Sequence, residues 1–116
     1  MAKELTPREA IELKVMNEVA KYFHENNINT RVPFNIILDK EAVSHIINIG
    51  TSIMMNRIGV NTYPGGFVRA VLENDLHGAF SRADNINSQV LGFYITMMYN
   101  LSIPVTNDEV KEAMKV

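Results

Sequence analysis

The stretch PGGFVRAVLENDLHGAFSRAD, residues 64–84, predicts one helix that begins at a pair of glycines. On a 3.6-residue wheel, one polar stripe recurs every fourth residue, and most of the remaining circumference is apolar. That stripe consists of Arg69, Glu73, His77 and Ser81. Asp75 and Arg82 fall inside the apolar arc, with Asn74 and Gly78 at its edge. Because an unpaired charge is costly to desolvate, we expect this helix to hold Asp75 and Arg82 out of bulk water for a reason.

The length and composition of the chain indicate one soluble domain spanning residues 1–116. Of the 116 residues, 47% are hydrophobic and 21% are charged, as in ordinary globular proteins. The net charge of −2 argues against a nucleic-acid partner bound through its phosphates. The absence of cysteine excludes disulfides and thiolate zinc sites, and it fits a cytoplasmic protein. No apolar leader opens the sequence, so we expect no secretory signal.

A run of 23 residues, 85–107, contains no aspartate, glutamate, lysine, arginine or histidine. Polar residues interrupt this run too often for it to span about 30 Å of hydrocarbon, so we expect no membrane partner. The run instead predicts a helix over residues 86–100 that is buried on nearly all sides, with Asp84 capping its start. Helix 40–57 is almost free of charge too, with His45 as a surface histidine. Two such helices are hard to bury in so small a monomer, so we expect a homo-oligomer.

Helix starts are marked by capping residues along the chain. The run Thr6-Pro7-Arg8-Glu9 opens a helix that reaches about Glu25, Asp39 caps residues 40–57, and Thr106 with Glu109 forms a second capping box. In the last helix, Val110 and Met114 should face inward. Gly50, within an apolar stripe, indicates a close helix crossing. The predicted fold is an all-α compact bundle of four to five helices with a short extended N-terminal arm, residues 28–38.

Catalytic and metal-binding patterns are weak. Glu73 and His77 are four apart, but no third ligand accompanies them, and their simpler interpretation is an ordinary helical pair. We therefore predict no metal and no cofactor. No serine lies at a strained nucleophile turn. A small enzyme would need a general acid or base, for which only Asp75, Glu73 or His77 is available. We expect a protein that is not an enzyme.

An anion site is the more interesting alternative. Gly65 and Gly66 precede a helix start, where free N–H groups attract phosphate, although glycines also serve plain turns. Tyr63 is placed to stack on a base, and two arginines are placed to bind phosphates. Asp75 with Arg82 is either a structural ion pair, within or between subunits, or part of a ligand cluster with Asn74. The predicted ligand-binding residues are Tyr63, Gly65, Gly66, Arg69, Asn74, Asp75 and Arg82.

The region from Gly59 to Pro104 resembles a group of small, largely uncharacterised phage and prophage proteins. The resemblance rests on a dense motif, which comprises Pro64-Gly65-Gly66-Phe67, Ala70-Val71-Leu72, Asn74-Asp75-Leu76, Gly78-Ala79, Arg82-Ala83-Asp84, Asn87, Tyr99-Asn100 and Pro104. Similar proteins often continue into a tail with tryptophan, which this sequence lacks. The resemblance implies a phage-derived accessory protein acting in the host cytoplasm, and it implies no reaction.

Two functions follow as expectations. The first is a helical oligomer that binds an anionic, nucleotide-type immune signal between subunits and so blunts host defence. The second is an adaptor or inhibitor that docks onto a host enzyme through residues 34–38 or through the first helix. In the second case the polar cluster around Asp75 is purely structural.

Overall fold

Six helices make up the described part of the chain. The computed structural model describes residues 4–26, 39–60, 65–84, 87 and 90–115. The helices are α1 (Pro7–Asn26), α2 (Lys40–Arg57), α3 (Gly66–Leu72), α4 (Leu76–Arg82), α5 (Leu91–Asn100) and α6 (Asn107–Met114). These residues contain no strand, so the all-α prediction is confirmed. The predicted arm, residues 28–38, lies outside the described residues.

Local capping sets where the long helices begin. At α1 the Thr6 hydroxyl accepts from the backbone N–H of Glu9 (3.1 Å), and the Glu9 carboxylate accepts from the N–H of Thr6 (3.0 Å). Asp39 caps α2 by accepting a backbone N–H at 2.8 Å. Thr106 and Glu109 form the same reciprocal box at α6. Each cap satisfies N–H groups that a helix start leaves without partners, which is why these boundaries were predictable.

The core lies where α1, α2 and α5 meet. A Cβ added to Gly50 would lie 2.8 Å from Cγ1 of Val19 and 3.5 Å from Sδ of Met97. The predicted close crossing at Gly50 is therefore confirmed. Phe23 and Phe93 pack edge to face beside it, with ring centroids 5.5 Å apart. This geometry is favourable for aromatic pairs, so the central contact is both tight and directional.

α6 packs against α1 at the other end of the fold. Nζ of Lys14 lies 3.2 Å from Oε2 of Glu109 and donates to the carbonyl of Pro104 at 3.2 Å. The inward residue of this helix is Ala113, whereas Met114 is exposed and Val110 is only half-buried. The prediction that Met114 faces inward was wrong, because the buried stripe runs from residue 110 to residue 113 rather than to residue 114.

Candidate functional site

The predicted middle helix is divided into α3 and α4 at Asn74. Asn74 has φ +59°, the left-handed conformation that asparagine tolerates best after glycine. Its N–H donates to the carbonyl of Val71 (3.1 Å), and the N–H of Asp75 donates to the carbonyl of Ala70 (2.8 Å). This pair of bonds is the Schellman motif that ends a helix. The prediction of one continuous helix was therefore wrong.

Asp75 begins the next helix. Its Oδ1 accepts the backbone N–H of Gly78 at 2.9 Å, as an N-cap side chain does. The Asp75 and Arg82 side chains are both exposed, so the expectation that they are held out of water was wrong. The reason is the break, because wheel positions carried across it no longer share one face. Within the described residues the two form no ion pair with each other.

Gly78 nevertheless keeps Asp75 and Arg82 close together. A Cβ added to Gly78 would clash with the Asp75 carboxylate and would lie 3.0 Å from Nη1 of Arg82. Nη1 itself lies 3.5 Å from the Gly78 carbonyl, the limit of a hydrogen bond. The absence of a side chain on Gly78 therefore lets the Asp75 carboxylate and the Arg82 guanidinium both approach its backbone.

Arg82 also reaches Gly66, the first residue of α3. A Cβ added to Gly66 would lie 2.6 Å from Cδ and 3.0 Å from Nε of Arg82. Gly66 thus allows the arginine side chain to lie directly on the backbone. Gly65, the residue before α3, supplies no side-chain cap. Arg69 is exposed one turn later, on the Gly66 side of the helix. We call Gly65, Gly66, Arg69 and Arg82 the arginine–glycine surface.

Asn74 and Asp75 also border a shallow recess with a volume of about 20 Å³, enough for one water molecule. Its other lining residues are apolar: Ala70, Val71, Leu76, Ala79, Leu91 and Ile95. A pocket for a small molecule usually has hundreds of Å³. Of the seven predicted ligand residues, four make the arginine–glycine surface and two border this recess. Tyr63 lies outside the described residues.

The polar stripe from Arg69 to Ser81 is not one continuous surface. Glu73 ends α3 and His77 lies in α4, with the Asn74 turn between them. Throughout the part of the chain that the structure describes, no three histidine, aspartate or glutamate side chains are grouped to hold a metal ion. None of the described helices is long and apolar enough to cross a membrane.

A second polar group was missed by the sequence reasoning. Nε2 of His45, on α2, lies 2.8 Å from Oδ2 of Asp84. His45 Nε2 has no hydrogen-bond partner among the described residues, so its contact with Asp84 is an ion pair when the imidazole is protonated. Oδ1 of Asp84 accepts the N–H of Asn87 at 2.7 Å. The Asn87 Oδ1 accepts the Tyr94 hydroxyl at 2.6 Å, and both residues are buried.

These contacts form a polar chain of four residues: His45, Asp84, Asn87 and Tyr94. The polar chain links three parts of the fold and runs from the partly exposed His45 to the interior at Tyr94. Burial raises the pKa of Tyr94 far above its ordinary value, and the charge of Asp84 raises it further. Tyr94 therefore stays protonated and acts as a hydrogen-bond donor. His45 and Asp84 are distant in sequence, so only the capping role of Asp84 was predictable. His45 is half-buried and contacts Asp84, whereas the sequence predicted a surface histidine.

Comparisons with protein-family models, with curated proteins and with solved structures find no match to this chain. Its function is therefore inferred from the geometry of its own residues. That geometry defines a small helical protein with one exposed arginine–glycine surface.

Proposed function

We propose that this chain is a binding protein, not an enzyme, that captures an anionic, nucleotide-type small molecule on the arginine–glycine surface. One observation carries the proposal: Arg82, from α4, lies on the backbone of Gly66, from α3. The role in which we place it is that of a phage-derived accessory protein in the host cytoplasm. There it would withdraw a nucleotide signal on which host defence depends.

The chemistry of this surface suits a phosphate group. Arginine offers five N–H donors in a planar fork that matches phosphate oxygens. Arg69 and Arg82 are both exposed, and neither forms an ion pair with the described residues. Gly65 and Gly66 are exposed as well, and neither carries a side chain of its own that would keep an anion from the backbone. α3 has only seven residues, so the proposal relies on the arginines rather than on the dipole of a long helix.

The site we propose is open rather than enclosed. Phosphate contacts at such a surface provide orientation and charge recognition. A charge-assisted hydrogen bond contributes about 1.5–3 kcal/mol, so loss of either arginine should weaken binding about 10-fold to 150-fold. Tight capture of a whole nucleotide would need further contacts, and a site between subunits would supply them.

The test is calorimetric titration with cyclic dinucleotides, cyclic trinucleotides, ADP-ribose and inorganic phosphate. Arg82→Gln and Arg69→Gln should each weaken binding by at least 10-fold. Gly66→Ala should also weaken it, because the new Cβ displaces the Arg82 side chain. Lys111→Gln, which removes an exposed cation on α6, is the matched control and should bind as the wild type does. Absence of binding across the whole panel would refute the proposal.

A second function, docking onto a host protein through α1, is favoured by exposed leucines. Leu13 on α1 is 49% exposed, and Leu5 just before it is 48% exposed. Large apolar side chains left in water often mark protein contacts. For this function a host protein should be recovered in stoichiometric amount with the wild type and lost with Leu13→Glu. Equal recovery with the variant would argue against docking through α1.

A further inference from the structure

An exposed apolar face extends from α4 across α5. Leu76 is 58% exposed and Tyr99 is 74% exposed, although both are large apolar side chains. Leu76 and the half-buried Ile95 line the same recess. Tyr99 follows Ile95 by four residues, which places it on the same side of α5. We call Leu76, Ile95 and Tyr99 the α4–α5 face.

Formal charge lies at the α4 edge of this face and not at its centre. α5 has no ionisable side chain other than its tyrosines, so the centre of the face carries no formal charge. An acid and a base, Asp75 and Arg82, lie at the α4 edge. Both are exposed and both approach Gly78, yet they do not pair with each other.

Such a face is complementary to itself. A two-fold axis makes each contact away from the axis occur twice, and residues close to the axis meet their own equivalents. An apolar centre then meets an identical apolar centre. One acid and one base at the edge can form two reciprocal ion pairs, whereas two like charges there would repel. Because Asp75 and Arg82 form no ion pair with each other within one copy, both are available for that pairing.

We propose that the α4–α5 face is the contact between two copies of this chain, in which Asp75 of each copy pairs with Arg82 of the partner subunit. The contact does not depend on the proposed ligand. Arginine presents donors on two edges of its plane, and here Nη1 faces Gly78 while Nε lies on Gly66. One edge can therefore serve the partner while the other stays at the arginine–glycine surface.

The experiment is charge reversal read by sedimentation equilibrium and native mass spectrometry, without added ligand. The wild type should be at least a dimer. Arg82→Glu places two acids together twice per dimer and should raise the dissociation constant by at least about 100-fold, since like charges juxtaposed in an interface are strongly unfavourable. Tyr99→Asp should do the same from the centre of the face. Lys111→Glu, on α6, is the matched control and should associate as the wild type does.

Mixing two variants gives the decisive result. Asp75→Arg should also be monomeric. An equimolar mixture of Asp75→Arg with Arg82→Glu should form heterodimers, because positions 75 and 82 then carry opposite charges in both of the reciprocal pairs. The double variant should dimerise again. Since Asp75→Arg removes the α4 cap, its folding is checked by circular dichroism, and Asp75→Asn, which retains a capping side chain, must weaken the dimer as well. A monomeric wild type, an unaffected Arg82→Glu dimer, or a mixture without heterodimers would overturn the proposal.

These outcomes are separate from those for the ligand. Arg69 lies on the arginine–glycine surface and takes no part in the proposed pairs. Arg69→Gln should therefore lose ligand affinity while it keeps the wild-type dimer. A dimer that fails the charge-reversal test would leave the ligand proposal standing, and a ligand panel without binding would leave the dimer standing.

Discussion

Replacing Tyr94 with phenylalanine tests the buried end of the polar chain. Tyr94 is fully buried, and its hydroxyl donates to Oδ1 of Asn87, itself only 4% exposed, at 2.6 Å. Phenylalanine keeps the ring and its packing but leaves the Asn87 oxygen without this donor. A buried polar group that loses its partner costs about 1–3 kcal/mol. We expect Tyr94→Phe to lower the free energy of unfolding by that amount.

The assay is urea unfolding followed by circular dichroism, with thermal unfolding alongside it. For a chain of 116 residues, 1 kcal/mol corresponds to about 4 °C in Tm, so the melting temperature should fall by about 4–12 °C. Tyr99→Phe is the matched control, since Tyr99 lies on the same helix, its hydroxyl is exposed in a single copy, and phenylalanine keeps the ring that the proposed dimer contact uses. Its effect should stay within about 0.5 kcal/mol. Equal losses of stability in the two variants would show that the hydrogen bond from Tyr94 to Asn87 does not stabilise the fold.

The same variant makes a prediction about alkaline pH. The folded pKa of Tyr94 is raised, first by burial and then by the Asp84 charge, from an ordinary value of 10.0. A raised folded pKa contributes stability that is complete below the unfolded pKa and is lost as pH rises beyond it. The wild type should therefore lose stability above pH 10, and Tyr94→Phe should lose less. The difference between the two proteins should narrow between pH 9 and 11, and a constant difference would contradict the assignment.

Three further predictions concern local contacts. Gly50→Ala should destabilise the fold by about 1–3 kcal/mol, because its Cβ would overpack the crossing with α1; Gly92→Ala, which meets nothing within 4 Å, should be neutral or stabilising in the same urea titration. Asp75→Ala should cost about 1 kcal/mol through loss of the α4 cap, and calorimetry should show Asp75→Asn retaining much of that stability. The pKa of Glu109 is lowered first by the backbone N–H of its capping partner and then by Lys14, so its contribution is present above pH 4.5 and lost as pH falls through the lowered value. Glu109→Gln should therefore flatten the acid side of the stability curve, and an unchanged acid side would refute this cause.

The break between α3 and α4 was signalled locally by Asn74 and Asp75, but the prediction followed the apolar periodicity of the whole stretch instead. Asparagine followed by aspartate is typical of a helix end and a new helix start. The apolar periodicity of residues 64–84 favoured one helix instead, and Asp75 then seemed buried. The left-handed backbone of Asn74 and the cap from Asp75 explain both residues without burial. Asn74 and Asp75 are polar because they form a turn between two helices, whereas the prediction had explained their polarity by a ligand site.

The all-α class and the starts of α1, α2 and α6 were predictable from the residues alone. Those starts depend on side chains that bond to backbone N–H groups three residues away, as Thr6, Asp39 and Thr106 do. Such contacts form within one helical turn and need no other part of the fold. Gly50 was also readable, since a glycine in an apolar stripe has few other uses.

The set of distant residues that share a surface became visible only once the helices were packed together. Arg82 lies on Gly66 because α4 turns back along α3 after Asn74, and His45 meets Asp84 because α2 packs beside that segment. Neither contact has a periodicity or spacing that sequence alone displays. A helix pattern reports which side of each helix avoids water, and the relative placement of helices follows from packing the whole core at once.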